Sequence, residues 1–150
     1  MFRNEIGQTQ RVAAYGVCTN ADAMLLVRLN EQTTSPGYWT LPGGGIDFGE
    51  HPRDAVVREC LEETGLIVVV RELLTVDSLS RVIRSPETEE LVDYHAIRIV
   101  FRVDAVGGEL RDETDNSTDC SAWHPLESMA SLLCTDLARL GARVAPQIEF

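Results

Sequence analysis

Three glutamates, Glu59, Glu62 and Glu63, are spaced so that a helix would carry all three carboxylates on one face. Residues at positions i, i+3 and i+4 are neighbours on a helix surface, and like charges at that spacing repel one another. This carboxylate ridge therefore favours a positive partner. Hard divalent cations such as Mg²⁺ bind carboxylate and carbonyl oxygens, and usually a substrate phosphate as well. The chemistry that this ridge suits is attack of a metal-activated water on a phosphorus–oxygen bond.

The helix that must position the ridge is predicted over residues 52–64. Pro52 suits the first helical position, where a missing N–H costs nothing. Gly65 suits the left-handed residue just past the helix end. On the side opposite the ridge, three residues are expected to pack on a core: Val57, Cys60 and Leu61.

Three further features flank the ridge. Arg58 precedes Glu62 by four positions, so the two side chains are expected to pair. His51 is expected at the N-cap, with a metal role as the weaker alternative. Gly43, Gly44 and Gly45 are expected to form a loop that brings backbone carbonyls or N–H groups close to the ions.

The stretch from residue 44 to residue 66 resembles the Nudix box, the signature of the Nudix hydrolases (MutT-like). The family pattern is Gly, five residues, Glu, seven residues, then Arg-Glu-aliphatic-any-Glu-Glu-any-Gly-aliphatic. Its fixed positions are met by Gly44, Glu50, Arg58, Glu59, Glu62, Glu63 and Gly65. Cys60 stands where the family prefers Ile, Leu or Val, a mild change because buried Cys behaves as a small hydrophobe. The lead-in Trp39 to Gly44 is also similar to the family's, and no subfamily is assigned.

The resemblance implies an α/β fold, the Nudix-type α/β/α sandwich with a mixed β-sheet. It implies hydrolysis of a nucleoside diphosphate linked to another moiety, such as a nucleoside triphosphate, a nucleotide sugar or ADP-ribose. The implied cofactor is Mg²⁺, with Mn²⁺ as a substitute. The implied metal ligands are Gly43, Gly44, Glu59, Glu62 and Glu63. The implied catalytic residues are Glu59, Glu62, Arg58 and Glu113, with Glu59 as the first choice of base and Arg58 and Glu50 holding the ridge and the loop.

Glu113 belongs to a second acidic segment, residues 109–119, which holds five acids. Nudix hydrolases often take one more carboxylate from this region to complete the metal site or to act as base. Glu113 is the first candidate, followed by Asp112 and Asp119. The alternative is that all five acids are merely solvated.

Three residues outside the box are candidates for substrate binding: Trp39, Arg81 and Arg84. Trp39 can stack a base, or it can serve in the core. The two arginines can reach a terminal phosphate, or they can be solvated loop charges. Family members that cleave ADP-ribose tend to carry Pro where this chain has Val82, and those acting on dinucleoside polyphosphates tend to carry Tyr where it has Arg84. The substrate therefore stays open.

Composition limits the class of protein. A chain of 150 residues predicts one domain, residues 1–150, able to bury its own core. A net charge of −11 argues against nucleic-acid and anionic-membrane partners. The first residues show no apolar run, so no secretory signal is expected, and no stretch is long enough for a membrane helix. The four cysteines show no paired spacing and are expected to be free thiols in a reducing cytoplasm.

The remaining elements follow from hydrophobic periodicity. A hairpin is predicted from strands over residues 11–19 and 23–28, and further strands over 66–76 and 94–103. Residues 77–93 are expected to be a strand end and a long loop. His95 is expected to be a satisfied core histidine. Helices are predicted over 127–133 and 136–144, with an apolar core stripe of Leu133, Leu137, Leu140 and Val144.

Two rival functions use a similar fold: a non-catalytic nucleotide-sugar sensor and an isomerase of isoprenoid diphosphates. A sensor predicts an eroded box, whereas the box here is intact. The intact box and the short chain also disfavour the isomerase. A homodimer is expected by analogy only.

Overall fold

The computed structural model describes residues 6–114 and 116–145. Within these residues the chain forms seven strands, two α-helices and a short 3-10 turn at Leu126–Ser128. The strands are β1 (Gly7–Asn20), β2 (Ala23–Leu29), β3 (Trp39–Thr40), β4 (Gly43–Gly45), β5 (Leu66–Arg84), β6 (Leu91–Gly108) and β7 (Thr118–Pro125). The helices are α1 (Pro52–Thr64) and α2 (Asp136–Val144).

The strands form one mixed sheet in the order β3-β2-β1-β6-β5, with β4 on β1 and β7 on β2. Strands β1 and β6 are parallel, with Gly7 opposite Val92 and Cys18 opposite Val103. The other pairs are antiparallel. The predicted hairpin of β1 and β2 is confirmed, with Asn20 opposite Ala23.

Each face of the sheet packs on one helix. Alternate residues of a strand point to opposite faces, and β6 shows this directly. Phe101 and Val103 share one core cluster with Val56 and Cys60 of α1. Val100 shares the other cluster with residues of α2, among them Leu137 and Ala138. The predicted α/β/α sandwich with a mixed sheet is therefore confirmed.

Helix α1 has the predicted bounds and caps. His51 is the N-cap, and its Nδ1 accepts a hydrogen bond of 3.0 Å from the Arg53 N–H. Gly65 ends the helix in the left-handed conformation, with φ of 77°. The prediction that Leu61 faces the core is wrong, because its side chain is 43% exposed. The buried face comprises Ala55, Val56, Cys60, Glu63 and Thr64. Leu61 lies about 100° round the helix from Cys60, outside that face.

Strands β5 and β6 are longer than predicted, and the predicted long loop over 77–93 is wrong. Strand β5 continues to Arg84, and β6 begins at Leu91 after a short turn. The two strands stay paired from Val76 opposite Ile99 to Arg84 opposite Leu91. This cross-strand pairing satisfies the backbone, so the polar composition of the segment does not prevent a strand.

Two other local predictions are wrong. The glycines Gly43–Gly45 are not a loop but strand β4, which pairs with residues 13–15 of β1. The predicted helix over 127–133 is reduced to the 3-10 turn, and Leu133 is 53% exposed instead of buried. Helix α2 has the predicted bounds, and Leu137 in its stripe is buried.

The four cysteines are free, as predicted. Cys18, Cys60 and Cys134 are buried, and Cys120 is partly buried. Among the described residues, no helix combines the length and the apolar character that crossing a membrane requires.

Candidate active site

Glu63 anchors the carboxylate ridge to the glycine strand. Its side chain is only 5% exposed, and its Oε1 accepts a hydrogen bond of 2.7 Å from the Gly43 N–H. Burial raises the pKa of Glu63 well above its usual value, while the Gly43 N–H lowers it and the charges of Glu59 and Glu113 raise it further. A carboxylate held in this way is costly to ionise unless a cation lies beside it.

Glu59 lies directly against Gly44. A Cβ at residue 44 would stand 2.8 Å from the carboxylate carbon of Glu59, which is closer than real Cβ contacts. Only a glycine therefore allows this approach. Burial raises the pKa of Glu59, Arg58 lowers it, and the charges of Glu62 and Glu113 raise it.

Arg58 connects the ridge to the segment before the helix. Its Nε and Nη2 donate to the two carboxylate oxygens of Glu50 at 2.8 and 2.9 Å. The same guanidinium donates to the Gly45 carbonyl at 3.1 Å and contacts Glu59 at 3.0 Å and Glu62 at 3.3 Å. The predicted pairing of Arg58 with Glu62 is thus confirmed. The hydrogen bonds from Arg58 lower the pKa of Glu50 to about 2.

Glu113 is close enough to the ridge for its charge to raise the pKa of both Glu59 and Glu63. It accepts a hydrogen bond of 3.0 Å from the Thr118 hydroxyl. The other two candidates are engaged elsewhere. Asp112 accepts from the Ser121 N–H at 2.9 Å, and Asp119 pairs with Arg28 at 2.8 Å. Asp115, in the same segment, lies outside the described residues.

The donor chemistry of the ridge fits a hard divalent cation. Four carboxylates lie near one another, and the negative charge of each raises the cost of ionising its neighbours: Glu59, Glu62, Glu63 and Glu113. Within residues 6–114 and 116–145, however, no three acidic, His or Cys side chains are grouped so that they hold a metal ion as they stand. Glu59 and Glu62 are turned to Arg58, and Glu63 is turned to Gly43. The metal ligands therefore stay a prediction.

A cavity of about 530 Å³ opens beside the ridge, with Gly43 and Glu63 in its wall. Its floor is the α2 face of three neighbouring strands, β1, β6 and β5. Its rim includes Tyr38 and other residues of the loop after β2, together with the start of α2. The loop between β2 and β3 therefore stands at the mouth of the cavity.

The three predicted substrate-binding residues lie in different places. Arg81 lines the cavity. The Arg84 guanidinium instead donates to the Glu89 carbonyl at 2.7 Å, in the turn between β5 and β6. The Trp39 ring packs edge-on against His124. The guanidinium carbon of Arg28 lies over the Trp39 ring, 5.6 Å from the ring centre. Neither Arg84 nor Trp39 is part of the cavity wall.

The cavity floor holds polar residues that the sequence reasoning did not select: Arg11, Tyr15, Tyr94 and Arg98. The signal was present in the alternation of β6, which placed Tyr94, Ala96 and Arg98 on one face. Nothing in the sequence showed that α2 packs over Val17 and Val100 and leaves the neighbouring part of this face open. His95, on the other face, contacts Gln10 at 2.9 Å and Ser78 at 2.8 Å, so the prediction that its ring is hydrogen-bonded is confirmed. The prediction that it belongs to the core is wrong, because its side chain is partly exposed.

Known proteins share both the sequence pattern and the fold. The family model of the NUDIX domain matches residues 9–147. An ADP-ribose pyrophosphatase of Methanocaldococcus jannaschii is 39% identical over 104 residues, covering 69% of this chain and 56% of the relative. The chain thus spans just over half of the length of that relative.

Two solved structures show the same architecture. A MutT NUDIX hydrolase from Burkholderia pseudomallei superposes with a TM-score of 0.71 at 24% identity, covering 93% of this chain and 100% of that one. The NUDIX domain of Shewanella oneidensis NrtR, complexed with ADP ribose, gives a TM-score of 0.68 at 17% identity, covering 97% and 91%. At these identities the likeness shows a common fold.

Proposed function

The chain belongs to the NUDIX family, and from that premise we propose that it is a Mg²⁺-dependent pyrophosphohydrolase. It hydrolyses a phosphoanhydride bond in a nucleoside diphosphate linked to another moiety. The observation that carries the proposal is the position of the carboxylate ridge, whose buried member Glu63 stands in the wall of the cavity. ADP-ribose is the first substrate to test, since the Methanocaldococcus relative is named for it.

The residues that hold the cation in this proposal are Glu59, Glu62 and Glu63, with the backbone of Gly43 and Gly44. Carboxylate and carbonyl oxygens are the ligands that Mg²⁺ prefers, and Mn²⁺ can replace it. A cation bound there polarises the phosphoryl oxygens and lowers the pKa of water. Among the residues that the structure describes, Glu62 is held by a 3.3 Å contact with Arg58, and its side chain is 44% exposed, so turning it toward a ligand costs little.

Glu59 is the proposed general base. Its carboxylate lies between Gly44 and Arg58, partly shielded from solvent, and accepts the proton of the attacking water. Glu113 is the alternative base, because its charge acts on the same group of carboxylates. Arg58 is a positioning residue: by joining Glu50, Gly45 and the ridge, it fixes the helix against the glycine strand.

The cavity orients the substrate along the floor of the sheet. Of the predicted contacts, Arg81 stands in its wall, which supports a role in binding. Direct roles of Trp39 and Arg84 in substrate binding stay predictions, because their side chains are engaged outside the cavity.

A turnover screen tests the proposal. Purified protein is incubated with Mg²⁺ or Mn²⁺ and ADP-ribose, nucleotide sugars, nucleoside triphosphates, dinucleoside polyphosphates and NADH. Glu62→Gln runs in parallel, with Glu72→Gln as the matched control, because Glu72 lies on β5 and pairs with Arg102 at 3.2 Å. Metal-dependent cleavage that Glu62→Gln abolishes and Glu72→Gln retains is expected. Tight binding of a panel member without cleavage would instead support the sensor.

Three wider properties belong to the same proposal. Residues 1–150 form one domain, supported by the match of the family model over 9–147. A cytoplasmic location is supported by the four free cysteines. A homodimer stays a prediction from analogy, and gel filtration with light scattering tests it.

A further inference from the structure

Arg11 lies beside strand β4, at the end of the cavity where Glu63 stands. A Cβ at Gly45 would lie 3.6 Å from both the Nε and the Nη2 of Arg11. The guanidinium is also close to the phenol of Tyr15, which lies opposite Gly43 in β4. The Gly43 N–H binds Glu63. Arg11 therefore stands next to the proposed cation site, although it belongs to β1 and lies outside the box.

The charge of Arg11 is not balanced in the way that the charges of two nearby arginines are. Arg58 is paired with Glu50 and with the ridge, and Arg98 is paired with Asp77. Among the described residues, no carboxylate lies within ion-pair distance of Arg11. Its polar neighbours are two tyrosine phenols, a type of group that is ordinarily neutral at pH 7. A guanidinium without a balancing carboxylate, in the wall of a cavity, favours an anionic ligand.

Small residues leave room for a ligand between Arg11 and Glu63. Arg11, Ala13 and Tyr15 alternate along β1, so all three face the cavity. Ala13 lies opposite Gly45, and neither residue has a side chain larger than a methyl group. A phosphoryl group can therefore reach the backbone in this part of the cavity floor.

The spacing of Gly43 and Gly45 gives the scale of this part of the cavity. Glu63 binds at Gly43, and Arg11 lies against Gly45, two residues further along β4. At about 3.3 Å per residue, the carboxylate and the guanidinium are separated by about 7 Å along the strand. A diphosphate held by a cation at Glu63 can extend over that distance. A guanidinium has five N–H donors in a planar fork that suits phosphoryl oxygens, and two phenols leave donors free for a ligand.

We infer that Arg11 binds the diphosphate of the substrate at the ridge, through phosphoryl oxygens that the cation does not hold. The carboxylates of the ridge already balance the charge of a divalent cation, so the diphosphate needs a further positive partner. Arg11 is placed to supply it from the cavity floor. The inference rests on the proposed function and adds to it a substrate-binding residue that the box does not contain.

The test compares Arg11→Gln and Arg11→Lys with the matched control Arg71→Gln. Arg71 lies on β5, outside the cavity wall, and pairs with Asp104 at 2.7 Å. The anionic probe is methylenediphosphonate, a diphosphate analogue whose P–C–P bridge resists hydrolysis, and it is titrated calorimetrically in the presence of Mg²⁺. Mn²⁺ alone is titrated in parallel, with electron paramagnetic resonance measuring the free ion.

Arg11→Gln is expected to raise the Kd of methylenediphosphonate about 10- to 100-fold, as for the loss of a hydrogen bond between charged groups. Arg71→Gln leaves that Kd unchanged, and Arg11→Lys gives an intermediate value because it keeps the charge but loses the planar fork. The Kd of Mn²⁺ alone is not raised in Arg11→Gln, since the variant removes a positive charge near the cation. A merely structural role of Arg11 would weaken the binding of both ligands.

Unchanged binding of methylenediphosphonate in Arg11→Gln would overturn the inference, and so would parallel losses of Mn²⁺ and diphosphonate binding. Turnover separates this result from the proposed function. On a substrate that the wild type cleaves, kcat/KM is expected to fall about 10- to 100-fold in Arg11→Gln, and wild-type turnover in that variant would refute the role of Arg11 alone.

The proposed function can also fail by itself. If the wild type neither cleaves a substrate nor binds Mn²⁺, the hydrolase is refuted. Methylenediphosphonate is then titrated without metal, and only tighter binding by the wild type than by Arg11→Gln supports the role of Arg11. Equal or absent binding in that titration would overturn it.

Discussion

The carboxylate of Glu59 on helix α1 lies against the backbone of Gly44 on strand β4. A Cβ at residue 44 would stand 2.8 Å from the carboxylate carbon, so the two residues fit only because residue 44 has no side chain. The neighbouring Gly45 is different, since a Cβ there would meet Arg11 at an ordinary distance of 3.6 Å. The glycine requirement at residue 44 therefore concerns the position of a proposed catalytic group.

Gly44→Ala is expected to displace the Glu59 carboxylate and to lower kcat/KM by about 100-fold, as misplacement of a catalytic group by about 1 Å can do. Gly45→Ala is the control and is expected to stay near wild-type activity. Steady-state kinetics and thermal unfolding of both variants provide the check. Equal losses in the two variants would show that β4 is merely intolerant of side chains.

Glu59→Gln is expected to lower kcat by about 10²- to 10⁴-fold, because an amide cannot accept the proton of the attacking water. Glu113→Gln is expected to cost less, about tenfold, if Glu113 only tunes the charge of the ridge. Circular dichroism verifies that both variants are folded. A larger loss in Glu113→Gln would transfer the role of base to Glu113.

Glu63→Gln is expected to raise Tm in the absence of metal while abolishing activity. Burial raises the pKa of Glu63, so at neutral pH the folded state either carries a carboxylate that it disfavours or takes up a proton, and both cost stability relative to the unfolded chain. The amide oxygen still accepts from the Gly43 N–H. This gain is expected to grow as the pH rises above about 4.5, the usual value of the group.

The metal dependence of Tm completes that experiment. Mg²⁺ is expected to stabilise the wild type by mass action and to have little effect on Glu63→Gln. Differential scanning fluorimetry with Mg²⁺ or with EDTA measures both effects. Equal stabilisation of the two proteins by Mg²⁺ would exclude Glu63 as a ligand.

Glu50→Gln is expected to destabilise the fold at neutral pH and to have less effect in acid. Arg58 lowers the pKa of Glu50 from 4.5 to about 2 in the folded chain. The stabilisation is therefore fully present above about pH 4.5 and is lost as the pH falls toward 2. Denaturant unfolding of wild type and variant at pH 7 and pH 3 checks this. A difference in stability that stays constant between the two pH values would contradict it.

Local signals in the sequence were sufficient for helix α1 and its ridge. Pro52, Gly65 and the spacing of the glutamates act within one helix, and the helix has the predicted bounds. The Arg58–Glu62 pair is also local, since the two residues are four positions apart. Such features depend only on the geometry of one helix, so the spacing of residues in the sequence is enough to predict them.

The features that were mispredicted depend on distant partners. The glycines become strand β4 because β1 lies beside them, and residues 77–84 stay extended because β6 pairs with them. Leu61 is exposed because the sheet packs on the face of α1 that contains Cys60 and Glu63, and Leu61 lies outside that face. The cavity combines Arg11, Arg81 and Tyr94 from three strands, and no spacing in the sequence indicates that these strands lie side by side.

The parallel pairing of β1 with β6 also bears on how the chain folds. Gln10 and His95 contact each other across 85 residues, and the whole length of the β1–β6 pair joins segments as distant as these. Closing so large a loop costs conformational entropy before the contacts between the two strands can offset it, so a topology of this kind is slow to form. The hairpin of β1 and β2 and helix α1 are local and can form early. The cavity cannot, because its floor exists only once β6 has joined β1, so the ability to bind ligand arrives at the end of folding.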